Sequence, residues 1–138
     1  MNNAISNDVQ QRLQWSLLFL RLGVFIVMIM WTLDKFINPE HSALIFEKFY
    51  GVNNSSEILT YTLGTIQTIL VISFLAGIKK RITYGIILVL HSISTLSSYN
   101  QYLDGFNNLL FFTAWPMLAA CFTLYILRDQ DIKFTVTH

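Results

Sequence analysis

The first apolar run of this chain, residues 13–36, contains an arginine well inside it, and this combination constrains the fold most. The run is long enough to cross about 30 Å of hydrocarbon as a helix that rises about 1.5 Å per residue. A charge near the centre of a span costs roughly 2.5–3.5 kcal/mol on insertion scales. The sequence therefore predicts a membrane helix in which Arg21 snorkels to the inner headgroups, pairs with another residue inside a bundle, or holds an anionic or quinone-type ligand.

The composition supports an integral membrane protein. Charged residues make up 12% of the 138 residues, whereas soluble domains carry about 25%. Hydrophobic residues make up 54%, and the mean hydropathy is +0.51. A net charge of +1 gives no basic field for nucleic acid. The single cysteine, Cys121, excludes a disulfide within one chain.

Four apolar runs of membrane-spanning length organise the sequence. Backbone groups must be satisfied within each segment in lipid, so these runs should be helices. We therefore predict one all-α domain over residues 1–138, an antiparallel four-helix membrane bundle. The third run is the shortest and most polar. The predicted spans cover residues 13–36, 58–78, 82–99 and 109–127.

Charge in the loops predicts the orientation. Only Lys79, Lys80 and Arg81 separate the second and third runs, and clustered cations in a short loop mark the cytoplasmic side. Both chain ends should then be cytoplasmic too. This pattern indicates a multi-pass protein of a plasma membrane, such as a bacterial inner membrane.

The first external loop predicts a short amphipathic helix. Asn38 can cap it, Pro39 suits its first position, and Gly51 can end it. Apolar residues between them recur at helical spacing. Such a helix would either anchor at the membrane surface or cover a cavity in the bundle.

Polar residues within the runs predict a pocket open toward the outer side. His91 lies near mid-membrane and should face the bundle interior. There it could form a hydrogen bond to a neighbouring helix, contact a bound ligand, or coordinate a metal or haem. Glu57 is either a first-turn acid or an ion-pair partner of Lys35. Trp115-Pro116 predicts a mid-helix kink. The candidate ligand-binding residues are Arg21, Lys35, Glu57, Gln67, His91 and Thr95, and no catalytic triad or metal motif accompanies them.

The chain resembles the DoxX-like family of small four-helix membrane proteins over roughly residues 17–127. The resemblance implies an accessory or anchor subunit of a membrane redox or sulfur-handling system, with a quinone or another small molecule bound in the bundle. It also implies redox-complex subunits as partners. The resemblance depends on Arg21-Leu22-Gly23, Lys35-Phe36, Asn38-Pro39-Glu40, Glu57, Gly64, Leu75-Ala76-Gly77, Arg81 and Gly85.

Two other functions fit the same polar residues. A small-solute transporter or permease would use Arg21, Glu57, Gln67 and His91 to line a path, and it favours a homo-oligomer. A membrane isomerase-like enzyme would use Glu57 and His91 as an acid/base pair, which requires both within about 3 Å of one substrate position.

The orientation gives a first prediction. A topology reporter placed at Asn53 should give an external signal, and reporters at Lys80 and after residue 138 should give internal ones, because translocation of clustered cations is disfavoured. Reporter activity in intact cells measures this directly. An external signal at Lys80 would contradict the predicted orientation.

Overall fold

The computed structural model describes residues 2–52 and 56–136, with side chains from residue 6 onward, and these residues contain helices and no strand. The six α-helices are α1 (Asn2–Ile37), α2 (Pro39–Tyr50), α3 (Glu57–Leu75), α4 (Lys80–Ser97), α5 (Tyr99–Leu103) and α6 (Ala114–Ile126). Two 3₁₀ helices, Gly105–Asn107 and Leu109–Thr113, lie between α5 and α6.

Three helical stretches are long and apolar enough to cross a membrane: Ser6–Ile37, Glu57–Leu75 and Leu109–Ile126. The third predicted span corresponds to α4, which has 18 residues and falls outside this set. Its first two residues are cations, and hydroxyl side chains and His91 occupy its second half. These polar groups lower the mean hydropathy of α4. This helix therefore needs contacts with the other helices to shield its polar side chains from lipid.

The short helix predicted in the first loop is confirmed as α2. Pro39 occupies its first turn, and Gly51 ends it in the left-handed conformation at φ 68°, which glycine adopts without a steric penalty. The predicted capping by the Asn38 side chain is wrong, because its amide nitrogen lies 3.4 Å from Asp34 Oδ1 instead.

The mid-helix kink predicted at Pro116 is also absent from the described residues. The fourth run begins as the 3₁₀ helix Leu109–Thr113, and α6 starts only at Ala114. Pro116 therefore lies in the first turn of α6, where a backbone N–H needs no intrahelical acceptor. Proline is tolerated at this position and does not break the helix.

The helices pack mainly in two pairs, α1 with α3 and α4 with α6, and α1 also contacts α6. A tight turn over residues 76–79 joins α3 to α4, with Gly77 at φ 67° and Ile78 N donating to Ser73 O at 2.9 Å. The two pairs enclose a core of buried side chains near that turn. Its members are Leu17, Val24, Met28, Val71, Phe74, Tyr84, Ile87, Cys121 and Leu124.

Gly64 allows α1 and α3 to approach closely. A Cβ atom at this position would lie 2.9 Å from Phe36 Cζ and 3.2 Å from Lys35 Cβ. In contrast, a Cβ at Gly23 would have nothing within 4 Å. The two glycines therefore form a matched pair, one at a crowded helix contact and one in open surroundings.

This contrast gives a second prediction. Gly64→Ala should lower the stability by about 1–3 kcal/mol, because the extra methyl group overpacks the α1–α3 contact. Gly23→Ala should leave stability unchanged or raise it by up to about 1 kcal/mol, because alanine favours a helix over glycine. Equilibrium unfolding of both variants in detergent tests this, and equal effects would contradict the close α1–α3 packing.

Candidate functional site

A buried arginine lies at the centre of the most unusual polar cluster in the structure. The side chain of Arg21 is 1% exposed, and its Nη1 atom lies 3.1 Å from Asp131 Oδ2, whose residue is 0% exposed. The Arg21 side chain therefore does not snorkel to the headgroups, which was one of the alternatives left open by the sequence. Arg21 is paired inside the protein.

Tyr84 completes this cluster from α4. Its hydroxyl donates to Asp131 Oδ2 at 2.8 Å and accepts from Arg21 Nη1 at 3.3 Å. The Tyr84 ring is held against Phe74 of α3, with ring centroids 4.8 Å apart. Side chains from α1, α4 and the segment after α6 thus meet at one point, which we call the Arg21 centre (Arg21, Tyr84 and Asp131).

Asp131 is carried by a non-helical segment, residues 127–136, which we call the closing segment. Besides the Asp131 carboxylate, this segment offers two backbone oxygens to the bundle. The Lys133 carbonyl accepts from Arg21 Nη2, and the Asp131 carbonyl accepts from Lys80 Nζ at 2.7 Å. Burial lowers the pKa of Lys80, and the nearby Asp131 carboxylate opposes that shift.

The far end of the closing segment is fixed to the α3–α4 turn. Val136 N donates to the Ala76 carbonyl at 2.8 Å. The Thr135 side chain packs directly over Gly77, where an added Cβ would come within 2.6 Å of Thr135 Cγ2. The closing segment therefore lies across the end of the bundle and covers the Arg21 centre.

The Arg21 centre retains unused hydrogen-bonding capacity. Arg21 Nε and Asp131 Oδ1 are both buried without a hydrogen-bond partner. Leaving a buried polar atom unsatisfied costs about 1–3 kcal/mol, and more for charged groups. The arrangement is therefore chemically able to satisfy further acceptors and donors if its components rearrange.

His91 takes the interhelical role among its alternatives. Its Nε2 atom lies 3.1 Å from the Ala114 carbonyl oxygen, which connects α4 to the start of α6. The described residues contain no group of three or more His, Cys, Asp or Glu side chains placed to hold a metal ion.

The hydroxyl groups of α4 bond mostly to their own helix. Thr95 Oγ1 donates to the His91 carbonyl at 2.8 Å, and Ser92 Oγ donates to the Leu88 carbonyl at 2.7 Å. Such back-bonding to the preceding turn removes the need for a partner elsewhere. These two hydroxyls of the third run are thus satisfied on their own helix.

The outer-end residues do not form the predicted ion pair. Among the ion pairs of the described residues, none joins Lys35 to Glu57. Lys35 Nζ donates to the Trp31 carbonyl at 3.0 Å and lies 5.9 Å from the Phe46 ring centroid. Glu57 is exposed at the beginning of α3, and Gln67 is half-buried on the same helix.

The predicted polar pocket does not coincide with either of two clefts on the helix surfaces. One cleft is apolar apart from Arg81, and the other is apolar apart from Ser92. α3 packs mainly on α1 and α4 mainly on α6, and neither cleft is lined by Glu57, Gln67, His91 or Thr95. The clefts are lined by Arg81, Ile82, Gly85, Ile86, Val89 and Leu90, and by Leu88, Ser92, Trp115, Leu118, Ala119 and Phe122.

The sequence interpretation missed Asp131 and Tyr84 as members of the site. A buried guanidinium needs a carboxylate, and Asp129 and Asp131 are the acids that follow the last apolar run. Charge balance could therefore have suggested either. Which of them reaches Arg21 depends on the path of the closing segment, which no local pattern encodes.

Comparisons with known proteins found no protein-family model, curated protein or solved structure that matches this chain. The resemblance to DoxX-like proteins therefore stays a hypothesis based on short motifs.

The buried pair gives a third prediction. Arg21→Leu should lower stability by about 3–5 kcal/mol, because the Asp131 carboxylate must then either stay buried without its partner or leave together with the contacts of the closing segment. The double variant Arg21→Leu/Asp131→Leu should recover most of this loss, since both charges are then removed. Equilibrium unfolding in detergent would measure both effects.

The control for this prediction is the exposed pair Arg12–Asp8, whose atoms lie 2.8 Å apart. Arg12→Leu should change stability little, because surface ion pairs contribute little. If Arg21→Leu were as mild as Arg12→Leu, the Arg21–Asp131 pair would not be a buried ionic contact.

Proposed function

We propose that this protein is an accessory or anchor subunit of a membrane redox or sulfur-handling system, and that it holds a small molecule at the Arg21 centre. In this proposal α1, α3, α4 and the stretch Leu109–Ile126 form an antiparallel four-helix membrane bundle with both ends in the cytoplasm. The short turn at residues 76–79 supports this, because it joins α3 to α4 as neighbours and its Lys79 directly precedes Lys80 and Arg81 at the beginning of α4.

One observation carries the small-molecule site. The guanidinium of Arg21 is fully buried, yet its counter-charge comes from the closing segment and not from another long helix. A helix-borne carboxylate would be fixed by the packing of the bundle, whereas a carboxylate on a non-helical segment can leave without unpacking a helix. Arg21 and Tyr84 would then present donors to a ligand such as a quinone or another oxygen-containing molecule.

The permease and enzyme alternatives receive less support from the geometry. Glu57 is exposed, and the His91 imidazole is engaged by the Ala114 carbonyl. Among the described residues, no hydrogen bond joins Glu57 to His91. An accessory subunit needs neither a solute path through the bundle nor an acid/base pair.

The proposed function gives a fourth prediction. The wild-type protein, purified in mild detergent, should retain partner proteins and a bound small molecule, both identified by mass spectrometry. The double variant Arg21→Leu/Asp131→Leu should keep the partner proteins and lose the small molecule, because the charges of the site are removed while the bundle stays folded.

Arg12→Leu is the matched control, because it removes an exposed arginine from the same helix. This variant should retain the partner proteins and also the bound small molecule. Recovery of the wild-type protein without partners, together with solute uptake in reconstituted liposomes, would contradict the accessory role and favour a permease.

A further inference from the structure

The ionic partner of Arg21 shows which charge the site accommodates. Asp131 places one carboxylate oxygen within reach of both Arg21 Nη1 and the Tyr84 hydroxyl, at 3.1 and 2.8 Å. The same guanidinium also binds the Lys133 carbonyl through Nη2. The site therefore binds oxygen atoms at two positions of one planar guanidinium, which is the geometry that suits oxyanions.

Charge balance selects the class of ligand. A neutral ligand such as a quinone would leave the Arg21 guanidinium buried without a counter-charge if it displaced Asp131, which is strongly unfavourable. Among the oxygen-containing molecules proposed for this site, an anion is therefore favoured. A singly charged oxyanion would preserve the balance. Departure of the closing segment would also free Nη2 from the Lys133 carbonyl, so a second oxygen of the anion could bind there, next to Nε, which is buried without a partner.

We propose that the Arg21 centre is a binding site for a small mono-anionic carboxylate or similar oxyanion, and that the Asp131 carboxylate is a tethered internal ligand that competes for it. This inference rests on the small-molecule site of the proposed function and assigns its chemical class. An oxyanion replaces the Asp131 carboxylate at Arg21 and Tyr84, and the closing segment moves away from the bundle as it does so.

The contacts of the closing segment fit a reversible competitor. Outside the Arg21 centre it is held by a few separate contacts: Lys80 Nζ to the Asp131 carbonyl, Val136 N to the Ala76 carbonyl, Lys133 Nζ over the Trp15 ring at 4.6 Å, and Thr135 packed on Gly77. Side chains at its end are largely exposed, with Phe134 79% and Val136 72% accessible. A segment tethered by a short linker competes at an effective concentration of about millimolar, so free anion in a comparable range should displace it.

The experiment compares thermal unfolding of Asp131→Asn with that of the wild-type protein in detergent, with sodium acetate as the probe. Sodium chloride at equal ionic strength controls for screening. Asp129→Asn is the matched control, because Asp129 lies two positions away and its side chain is 81% exposed. Arg21→Leu/Asp131→Leu serves as the variant without the site.

Acetate should raise the melting temperature of Asp131→Asn in a saturable manner, and chloride should not. Its apparent affinity for Asp131→Asn should be at least about tenfold higher than for the wild type or Asp129→Asn, because the tethered competitor has been neutralised. The double variant should not respond to acetate.

A spin label reports the movement of the closing segment. Val136→Cys in a Cys121→Ser background places the label on an exposed side chain. Acetate should increase the mobile fraction of the label when Asp131 is intact, and Arg21→Leu should show a mobile label without acetate.

The source of the oxyanion is separated by reconstitution. Stabilisation of Asp131→Asn by acetate in phosphatidylcholine nanodiscs indicates a soluble carboxylate. Stabilisation by phosphatidylglycerol nanodiscs without acetate indicates the phosphate of an anionic lipid headgroup, because the phosphate of phosphatidylcholine is already balanced by its own choline cation. Both results support an oxyanion site.

The inference is overturned if acetate and phosphatidylglycerol affect Asp131→Asn no more than chloride and phosphatidylcholine do. In that event, partner proteins and a neutral small molecule retained by the wild type would still support the proposed function. Conversely, acetate binding to Asp131→Asn without any co-purifying partner protein would contradict the accessory role but support the oxyanion site.

Discussion

The buried contact between Arg21 and Asp131 is the interaction on which the rest of this structure depends. An unpaired guanidinium inside an apolar bundle would be strongly unfavourable, so the closing segment must reach it. That requirement brings residues separated by 110 positions together. It also fixes Tyr84, whose hydroxyl bridges the two charges, and therefore the register of α4 against α1. One charge inside the first helix thus organises three parts of the chain.

The opposite end of α1 shows how differently an accessible charge behaves. Asp34 accepts from Ser42 Oγ at 3.1 Å and contacts His41 Nδ1 at 2.8 Å, so it connects α1 to the beginning of α2. Water can still reach this cluster, since the His41 side chain is 57% exposed. A charge in such surroundings needs no particular partner to be tolerated. The contacts at this end therefore position a surface helix, whereas those at the Arg21 centre compensate a buried cation.

The sequence was sufficient for the helical architecture, because long apolar runs and loop signals act locally. Pro39 and Gly51 mark the beginning and the end of α2 as expected, and the long apolar runs are helical. The site was less predictable for two physical reasons. The sequence showed that the third run is the most polar, but the hydroxyls of Thr95 and its neighbours bond to the backbone of their own helix. Asp131, in contrast, lies in a segment without periodicity, so only the charge of Arg21 pointed to it.

The location of Asp131 also determines which part of the protein can open. Local opening is easiest where few apolar contacts must be broken, and the closing segment is non-helical, with several exposed side chains. The helices around the Arg21 centre are held by fully buried residues such as Phe74 and Leu124. The segment can therefore separate while the bundle keeps its packing. Separation uncovers a cation that cannot remain alone in an apolar interior, so the open state gains most from an anion. The positive charge of Arg21, which holds the closing segment on the bundle, thus makes the open form selective for anions.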